Sequence, residues 1–225
     1  MINLSGQRIL VTQAQDFMGP ALCAMLAQCG AELIADERLL TAPQDAQAMV
    51  DAAGPLDALV INLALPAPST PVTQIDEAEW RQVFEVMVDP LPRLVRAVVP
   101  GMKARGGGKI VVMGSASALR GMKRSASYSA ARGAQLAYVQ AAGVELAPEN
   151  IQLNAVAQNF VDNPTYFPPE VQANPRFQER LKREVPLGRL VKAEEDASFV
   201  AYLCSDAASC FVGQVFPMSG GWAVR

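Results

Sequence analysis

Ser115, Tyr128 and Arg132 are the residues of this chain whose types and spacing could carry chemistry together. Tyr128 and Arg132 stand four apart in an alanine-rich stretch, Tyr128-Ser129-Ala130-Ala131-Arg132. Residues four apart on a helix share a face, so the guanidinium can lie beside the phenol. A fixed cation favours phenolate over phenol and lowers a tyrosine pKa from its usual value of about 10. Tyr128 therefore reads as a general base working near neutral pH. Ser115 closes the apolar run Lys109-Ile110-Val111-Val112-Met113-Gly114, which reads as a buried parallel strand. From that strand end its hydroxyl would hydrogen-bond the same substrate oxygen.

A strand and a helix must hold these side chains, and the chain supplies both in regular alternation. Apolar runs at 8–12, 31–35, 57–62, 109–115, 151–157 and 213–218 read as strands. Helical patterns fill 18–29, closed by Gly30, and 43–53, closed by Gly54. A long helix is expected from 76 to about 105, bent near Pro90 and Pro92. The Tyr128 helix should run through Leu146. After an irregular stretch at 158–169, further helices are expected over 174–184 and 193–205. The predicted architecture is one α/β domain over residues 1–225. Its single doubly wound parallel sheet should carry the functional crevice at the carboxyl ends of the strands.

With 225 residues, 51% of them hydrophobic and 18% charged, the chain has ample apolar surface to bury both faces of such a sheet. A net charge of −3 and scattered basic residues argue against nucleic acid or an anionic membrane as partner. The opening Met1-Ile2-Asn3-Leu4-Ser5-Gly6 leads straight into the first strand rather than into a secretory signal. No apolar run approaches the roughly 20 residues of a membrane span. The four cysteines, Cys23, Cys29, Cys204 and Cys210, form no C-x-x-C pair and read as small buried hydrophobes of a reduced, cytoplasmic protein. There is no histidine. That removes Ser-His-Asp and Cys-His nucleophilic catalysis and most transition-metal sites, and no metal is expected.

Several further runs complete a pattern: Asp57-Ala58-Leu59-Val60-Ile61-Asn62, Asn154-Ala155-Val156-Ala157, Pro186-Leu187-Gly188-Arg189, and Gly213-Gln214 with Gly220-Gly221. With the Ser115/Tyr128 spacing, they make the chain resemble the short-chain dehydrogenase/reductase superfamily over essentially its whole length, which implies a Rossmann-like fold. Fold alone does not give function, and four departures from the redox members bear on it. Those enzymes carry Thr-Gly-x-x-x-Gly-x-Gly after the first strand, so that backbone can approach a cofactor pyrophosphate. Here the run is Thr12-Gln13-Ala14-Gln15-Asp16-Phe17-Met18-Gly19, with a phenyl ring in the phosphate turn and Asp16 expected to repel a phosphate. Between the second strand and Asp57 there is room for one helix and a turn, where helix, strand and helix usually hold the adenosine half. Arg132 replaces their lysine, and Met87 falls at the asparagine of their proton relay. The dinucleotide site reads as degenerate, and no cofactor is expected. Asp36, where redox relatives read the adenine ribose, becomes a relic or a cap.

The same features resemble the halohydrin dehalogenases, a cofactor-free branch whose markers are T-x4-F-x-G and S-x12-Y-x3-R. Thr12, Phe17 and Gly19 fit the first marker; Ser115, Tyr128 and Arg132 fit the second. The resemblance implies that a vicinal haloalcohol places its hydroxyl between Ser115 and Tyr128, that Tyr128 takes the proton, and that the alkoxide displaces halide to give an epoxide. It also implies a halide pocket of Phe17, Gln158, Asn159, Phe160 and Val161, with backbone amides donating to the anion. Phe167 and Tyr166 would form an aromatic wall. Thr12, Leu65, Ala67 and Ser117 would flank the substrate. Gln158 stands where some dehalogenases have proline. The implied partners are a small haloalcohol or epoxide and a halide ion, and small anions such as azide, cyanide or nitrite would open epoxides in reverse. Relatives form homotetramers through the two long helices. Arg225 follows soon after Trp222, so no long tail is expected to reach a neighbouring pocket. Two other readings remain open on the sequence: an NAD(P)-dependent oxidoreductase with an altered loop, and a catalytically inactive member.

Overall fold

In the computed structural model, which describes residues 2–224, the apolar runs form β1 (Arg8–Val11), β2 (Glu32–Ala35), β3 (Ala58–Ile61), β4 (Gly108–Ser115), β5 (Ile151–Gln158) and β6 (Val215–Met218). Met1 and Arg225, the two ends of the expected domain, lie outside the described residues, and so does the expectation about the tail. The strands pair in parallel in the order β2-β1-β3-β4-β5-β6. β3, β4 and β5 are buried along almost their whole length because helices cover both faces, and that is why they read as continuous apolar runs. The β4–β5 register runs from Gly108↔Ile151 to Ser115↔Gln158, so strand pairing alone sets Ser115 beside Gln158 at the carboxyl edge.

One face of the sheet packs against α1 (Gly19–Gln28) and α8 (Ala193–Cys204), through Leu22, Leu26, Val200 and Leu203. The other packs against α2 (Asp45–Ala53), α4 (Pro90–Ala104) and α5 (Ala126–Leu146), through Met49, Leu94, Leu136 and Val139. The short α6 (Pro169–Gln172) and α7 (Pro175–Glu184) follow β5, and α7 brings Arg180 to a cavity that Gln158 also lines. α3 (Glu77–Met87) lies on α5, where Val83 and Met87 meet Tyr128 and Ala131.

The stretch 76–105 is two helices, not one bent helix. Val88 and Asp89 break it, and Pro90 opens α4 as its first residue. A proline there loses nothing, since the first backbone N–H groups of a helix have no intrahelical acceptor. Asp76 caps α3 by accepting the Glu79 N–H at 2.8 Å. Between β2 and β3 only α2 intervenes, which leaves β2 as the sheet edge. No helix of the described residues is long and apolar enough to cross a membrane.

Close approach of α5 to the sheet depends on Gly143. A Cβ there would stand 2.6 Å from Gly213 Cα and 2.9 Å from the Leu153 carbonyl oxygen, both backbone atoms. Overpacking of this kind costs about 1–3 kcal/mol. Gly143→Ala should therefore lower the unfolding free energy read from urea titration by an amount in that range, and an unchanged value would show that α5 can lift without cost.

Candidate active site

The strand order reverses between β1 and β3, and the crevice that such a reversal opens lies at the carboxyl ends of the strands. Ser115 ends β4 there, 8% exposed, with its Oγ 3.0 Å from Ser117 Oγ. Tyr128 and Arg132 sit one helical turn apart near the start of α5, both buried. The Arg132 guanidinium carbon lies 5.1 Å from the centre of the Tyr128 ring. Arg132 Nη1 donates to the carbonyls of Leu63 (3.0 Å) and Met113 (2.8 Å) and to Gln135 Oε1 (2.9 Å), while Nε has no partner. No carboxylate among the described residues pairs with this buried cation. Isolated buried charges are costly, so the arrangement is set up to receive negative charge.

All three side chains open on a cavity of about 310 Å³, within the size range of small-molecule sites. Its charged lining residues are Arg132 and Arg180, with no carboxylate among them. Phe17, Ala67, Ser117 and Gln158 line it, as do Asn159, Phe160, Val161, Tyr166 and Phe167. Thr12 does not. It is fully buried beneath the loop, where its Oγ1 accepts the Asn62 N–H at 2.9 Å. Leu65 also stands outside the lining; its side chain packs against the Val83, Met87 and Tyr128 cluster, and its carbonyl accepts from the Tyr166 hydroxyl.

The glycine-poor loop does not fit a dinucleotide pyrophosphate. Phe17 keeps a left-handed φ of 51°, a conformation suited to glycine, while its ring projects into the cavity and lies 5.6 Å from the Tyr166 ring. Gln13 is also left-handed (φ 44°), and its side chain turns inward to accept the Ala64 N–H at 2.8 Å. Non-glycine residues in this region cost free energy and cluster at functional sites. Asn62 locks the loop by donating to the Gln13 and Asp16 carbonyls, both at 3.0 Å. Gly19 serves the loop itself, for a Cβ there would lie 2.4 Å from the Ala14 carbonyl oxygen. The Asp16 side chain is exposed and outside the cavity lining. Asp36 is engaged by Arg38, whose Nε and Nη2 both reach its carboxylate.

The opposite wall holds a second surprise. The amides of Asn159 and Phe160 are already committed, to the Met218 carbonyl at 3.0 Å and to Asn159 Oδ1 at 2.9 Å. Of that pair neither is free for an anion, contrary to the expectation for the segment. The Val161 N–H, by contrast, meets no acceptor among the described residues, following a left-handed Phe160 (φ 51°). A buried unpaired backbone donor is rare and marks a place for an acceptor. The Tyr166 hydroxyl accepts the Ala67 N–H at 3.1 Å and faces the Leu65 carbonyl at 3.3 Å. Burial first, then the neighbouring Tyr128, holds the Tyr166 phenol well above the ordinary tyrosine range, so it stays protonated.

Four participants escaped the sequence reading. Gln135, fully buried, links Arg132 to the Met87 carbonyl, donating to it at 2.6 Å. A glutamine three residues past Arg132, on an otherwise apolar helix face, was the available signal. Asn62 braces the loop, Arg180 stands over the Phe160 ring at 5.3 Å, and Asp196 accepts from Gln158 Nε2 at 2.5 Å. Met87 is core, contacting Tyr128. No cluster able to hold a metal occurs among the described residues.

Burial pushes the Asp196 carboxyl up from 3.8 to about 7, with the Gln158 hydrogen bond opposing. A folded pKa above the unfolded one makes the group most favourable to folding below about pH 4, an advantage lost as pH rises through 7. Asp196→Asn removes that dependence. The stability of the variant minus that of the parent should grow by a few kcal/mol between pH 4 and pH 8, read by urea unfolding at each pH. A constant difference would show that Asp196 ionises alike folded and unfolded.

Residues 3–223 match the family model described as enoyl-(acyl carrier protein) reductase. A curated relative, cis-4-hydroxycyclohexanecarboxylate dehydrogenase of Sinomonas cyclohexanicum, is 30% identical across 95% of each chain. Among solved structures, one titled "Dehalogenation enzyme" shares 34% identity with a TM-score of 0.92, covering 99% of this chain and all of that one. L-sorbose reductase from Gluconobacter frateurii, solved with NADPH and L-sorbose, superposes with a TM-score of 0.89 over 97% of each chain at 22% identity, a likeness of fold.

Proposed function

The chain belongs to the short-chain dehydrogenase/reductase family, and within it we propose that it is a halohydrin dehalogenase working without a nucleotide cofactor. The observation that carries this reading is a buried guanidinium without a carboxylate, set over the Tyr128 ring in a cavity whose pyrophosphate loop is filled by Phe17. The solved dehalogenation enzyme at 34% identity supports it.

In this reading the hydroxyl of a vicinal haloalcohol binds between Ser115 and Tyr128. Tyr128, acting as phenolate, takes the hydroxyl proton and becomes the phenol, and Arg132 supplies the countercharge across its ring. The alkoxide oxygen forms a bond to the neighbouring carbon from the back side as the carbon–halogen bond breaks. The halide leaves with that electron pair, and the proton passes from Tyr128 to solvent. Both reacting atoms belong to one molecule, so the cavity need only hold the near-attack geometry. The halide departs toward Phe17, Phe160 and the unpaired Val161 N–H. Protonated Tyr166 closes the far wall.

The test is stoichiometric. The purified protein without added nucleotide should convert a vicinal chloro-alcohol to equal amounts of epoxide, chloride and acid, and azide, cyanide or nitrite should open epoxides in reverse. Absence of chloride release from a panel of chloro- and bromo-alcohols would sink the reading.

The dehydrogenase named among the relatives favours a second reading, a nicotinamide-dependent oxidoreductase. The two separate cleanly. The dehalogenase reading expects no rise in melting temperature with saturating NADH or NADPH, whereas a rise of several degrees with alcohol oxidation would establish the other. We propose further that α3 and α5 pair across two-fold axes in a homotetramer, which would cover the half-exposed Trp80–Phe84 stack on α3. Light scattering should then give four times the 24.0 kDa of one chain.

A further inference from the structure

Gln158 and Asp196 form a pair that the chemistry above leaves unused. Gln158 ends β5 and lines the cavity. Asp196 lies in the first turn of α8 and is wholly buried, at 0% exposure. Gln158 Nε2 donates to Asp196 Oδ2 at 2.5 Å, and Asp196 Oδ1 has no partner. No hydrogen bond among the described residues engages Gln158 Oε1.

We propose that Asp196 is a positioning residue that decides, through Gln158, whether the cavity offers a donor or an acceptor to the departing anion. This rests on the halide reading given above. A carboxamide has a donating end and an accepting end. Opposite a carboxylate, Nε2 must face Asp196, which leaves Oε1 for the cavity, and an oxygen lone pair repels a halide. Opposite a carboxylic acid, the acid O–H donates to Oε1, the amide turns over, and its NH2 group faces the halide beside the Val161 N–H. The unpartnered Oδ1 leaves the carboxyl free to carry that proton.

Burial supports both forms near neutral pH, since it pushes this carboxyl up to about 7. The surrounding charges are few. On α8 itself, Glu194 is the neighbour and Glu195 is bound by Arg189, while Lys192 caps the helix start and its carbonyl accepts the Asp196 N–H. α1 brings only Cys23. Lys109 of β4, bonded to Ser209, lies with Asp206 and Cys204 at the other end of α8. β5 and β6 carry no titratable side chain. Across the cavity Tyr128, Tyr166, Arg132 and Arg180 complete the set.

The experiment uses the Tyr128→Phe protein, so that no titration of Tyr128 intrudes. Bromide affinity is read from the saturating change in fluorescence of Trp222, whose ring meets Phe160 at 6.1 Å. The bromide Kd should rise about tenfold from pH 6 to pH 8.5, the loss of a hydrogen bond to a charged group. Adding Asp196→Asn should flatten the profile, and so should Gln158→Leu, which leaves the buried carboxyl in place should the first variant fold poorly. A profile that is flat in the parent, or that survives both substitutions, overturns the inference while leaving the halide reading intact. Failure of bromide to bind at either pH overturns both.

Discussion

Tyr128→Phe is expected to lower halide release from a vicinal chloro-alcohol by about three orders of magnitude, within the range for loss of a general base. The change is confined to one oxygen. The phenyl ring keeps its place against Val83, Met87 and Ala131, and the Arg132 guanidinium keeps its 5.1 Å seat over the ring. No backbone group depends on the Tyr128 hydroxyl, so the melting temperature should move little. Ser115 remains to hold the substrate oxygen, which places most of the loss in kcat rather than KM. Tyr166 cannot stand in. Burial, then the neighbouring Tyr128, holds its phenol above the ordinary range, and the Ala67 N–H donating to its hydroxyl fixes it in the wall. Turnover within tenfold of the parent would remove Tyr128 as the base, and chloride assay with a matched circular-dichroism spectrum decides it.

Why Ser115, Tyr128 and Arg132 were legible in the sequence as one constellation, while much of their support was not, follows from the range of the forces involved. Ser115, Tyr128 and Arg132 are placed by local rules: a continuous apolar strand ends at one, and helical spacing joins the other two. The β4–β5 pairing then brings Gln158 level with Ser115, again from periodicity. Thr12, Asn62 and Gln13 are different. Their roles come from hydrogen bonds spanning some fifty residues, so a threonine expected beside substrate proves to be a brace under the loop. The same holds for Gln135, whose partners are Arg132 and the Met87 carbonyl on a separate helix. The break at Val88–Asp89 was half visible. Two prolines marked the place, but whether they bend a helix or begin a new one depends on which backbone donors need acceptors. At the 158–161 segment the family resemblance implied open amides, whereas the Asn159 side chain consumes the Phe160 N–H.

Phe17 holds a glycine-like backbone without being glycine. The left-handed turn persists without the glycine that would adopt it freely, and Asn62 and the buried Gln13 side chain hold it there. Strain of this kind survives only where surrounding bonds over-determine the conformation. The ring lines the cavity together with Phe160, Tyr166 and Phe167, and Arg132 and Arg180 are the charged residues in the same lining. In the dehalogenase reading proposed above, a weakly hydrated anion needs few protein donors to replace its few water contacts.

Arg132→Met should cost both activity and stability, and the combination separates its two jobs. Methionine matches the stem in length but carries neither charge nor donor. The carbonyls of Leu63 and Met113 and the Gln135 amide oxygen would lose their shared partner in a buried region, at about 1–3 kcal/mol for each group left unsatisfied. Relaxation and water entry reduce the sum, so a loss on the order of 3 kcal/mol is expected by urea unfolding. Halide release should fall as far as in Tyr128→Phe, because nothing then offsets charge on the base. Arg132→Lys restores the charge on one nitrogen but not the planar fork, and should recover part of the stability with activity intermediate between parent and Arg132→Met. The double variant Tyr128→Phe/Arg132→Met is decisive. If the guanidinium acts only through the tyrosine, the double variant is no slower than Tyr128→Phe alone, since groups that act as a unit are non-additive. Additive losses in kcat, with all proteins folded by circular dichroism, would instead assign Arg132 a separate hold on the substrate and force the proton-transfer step to be redrawn.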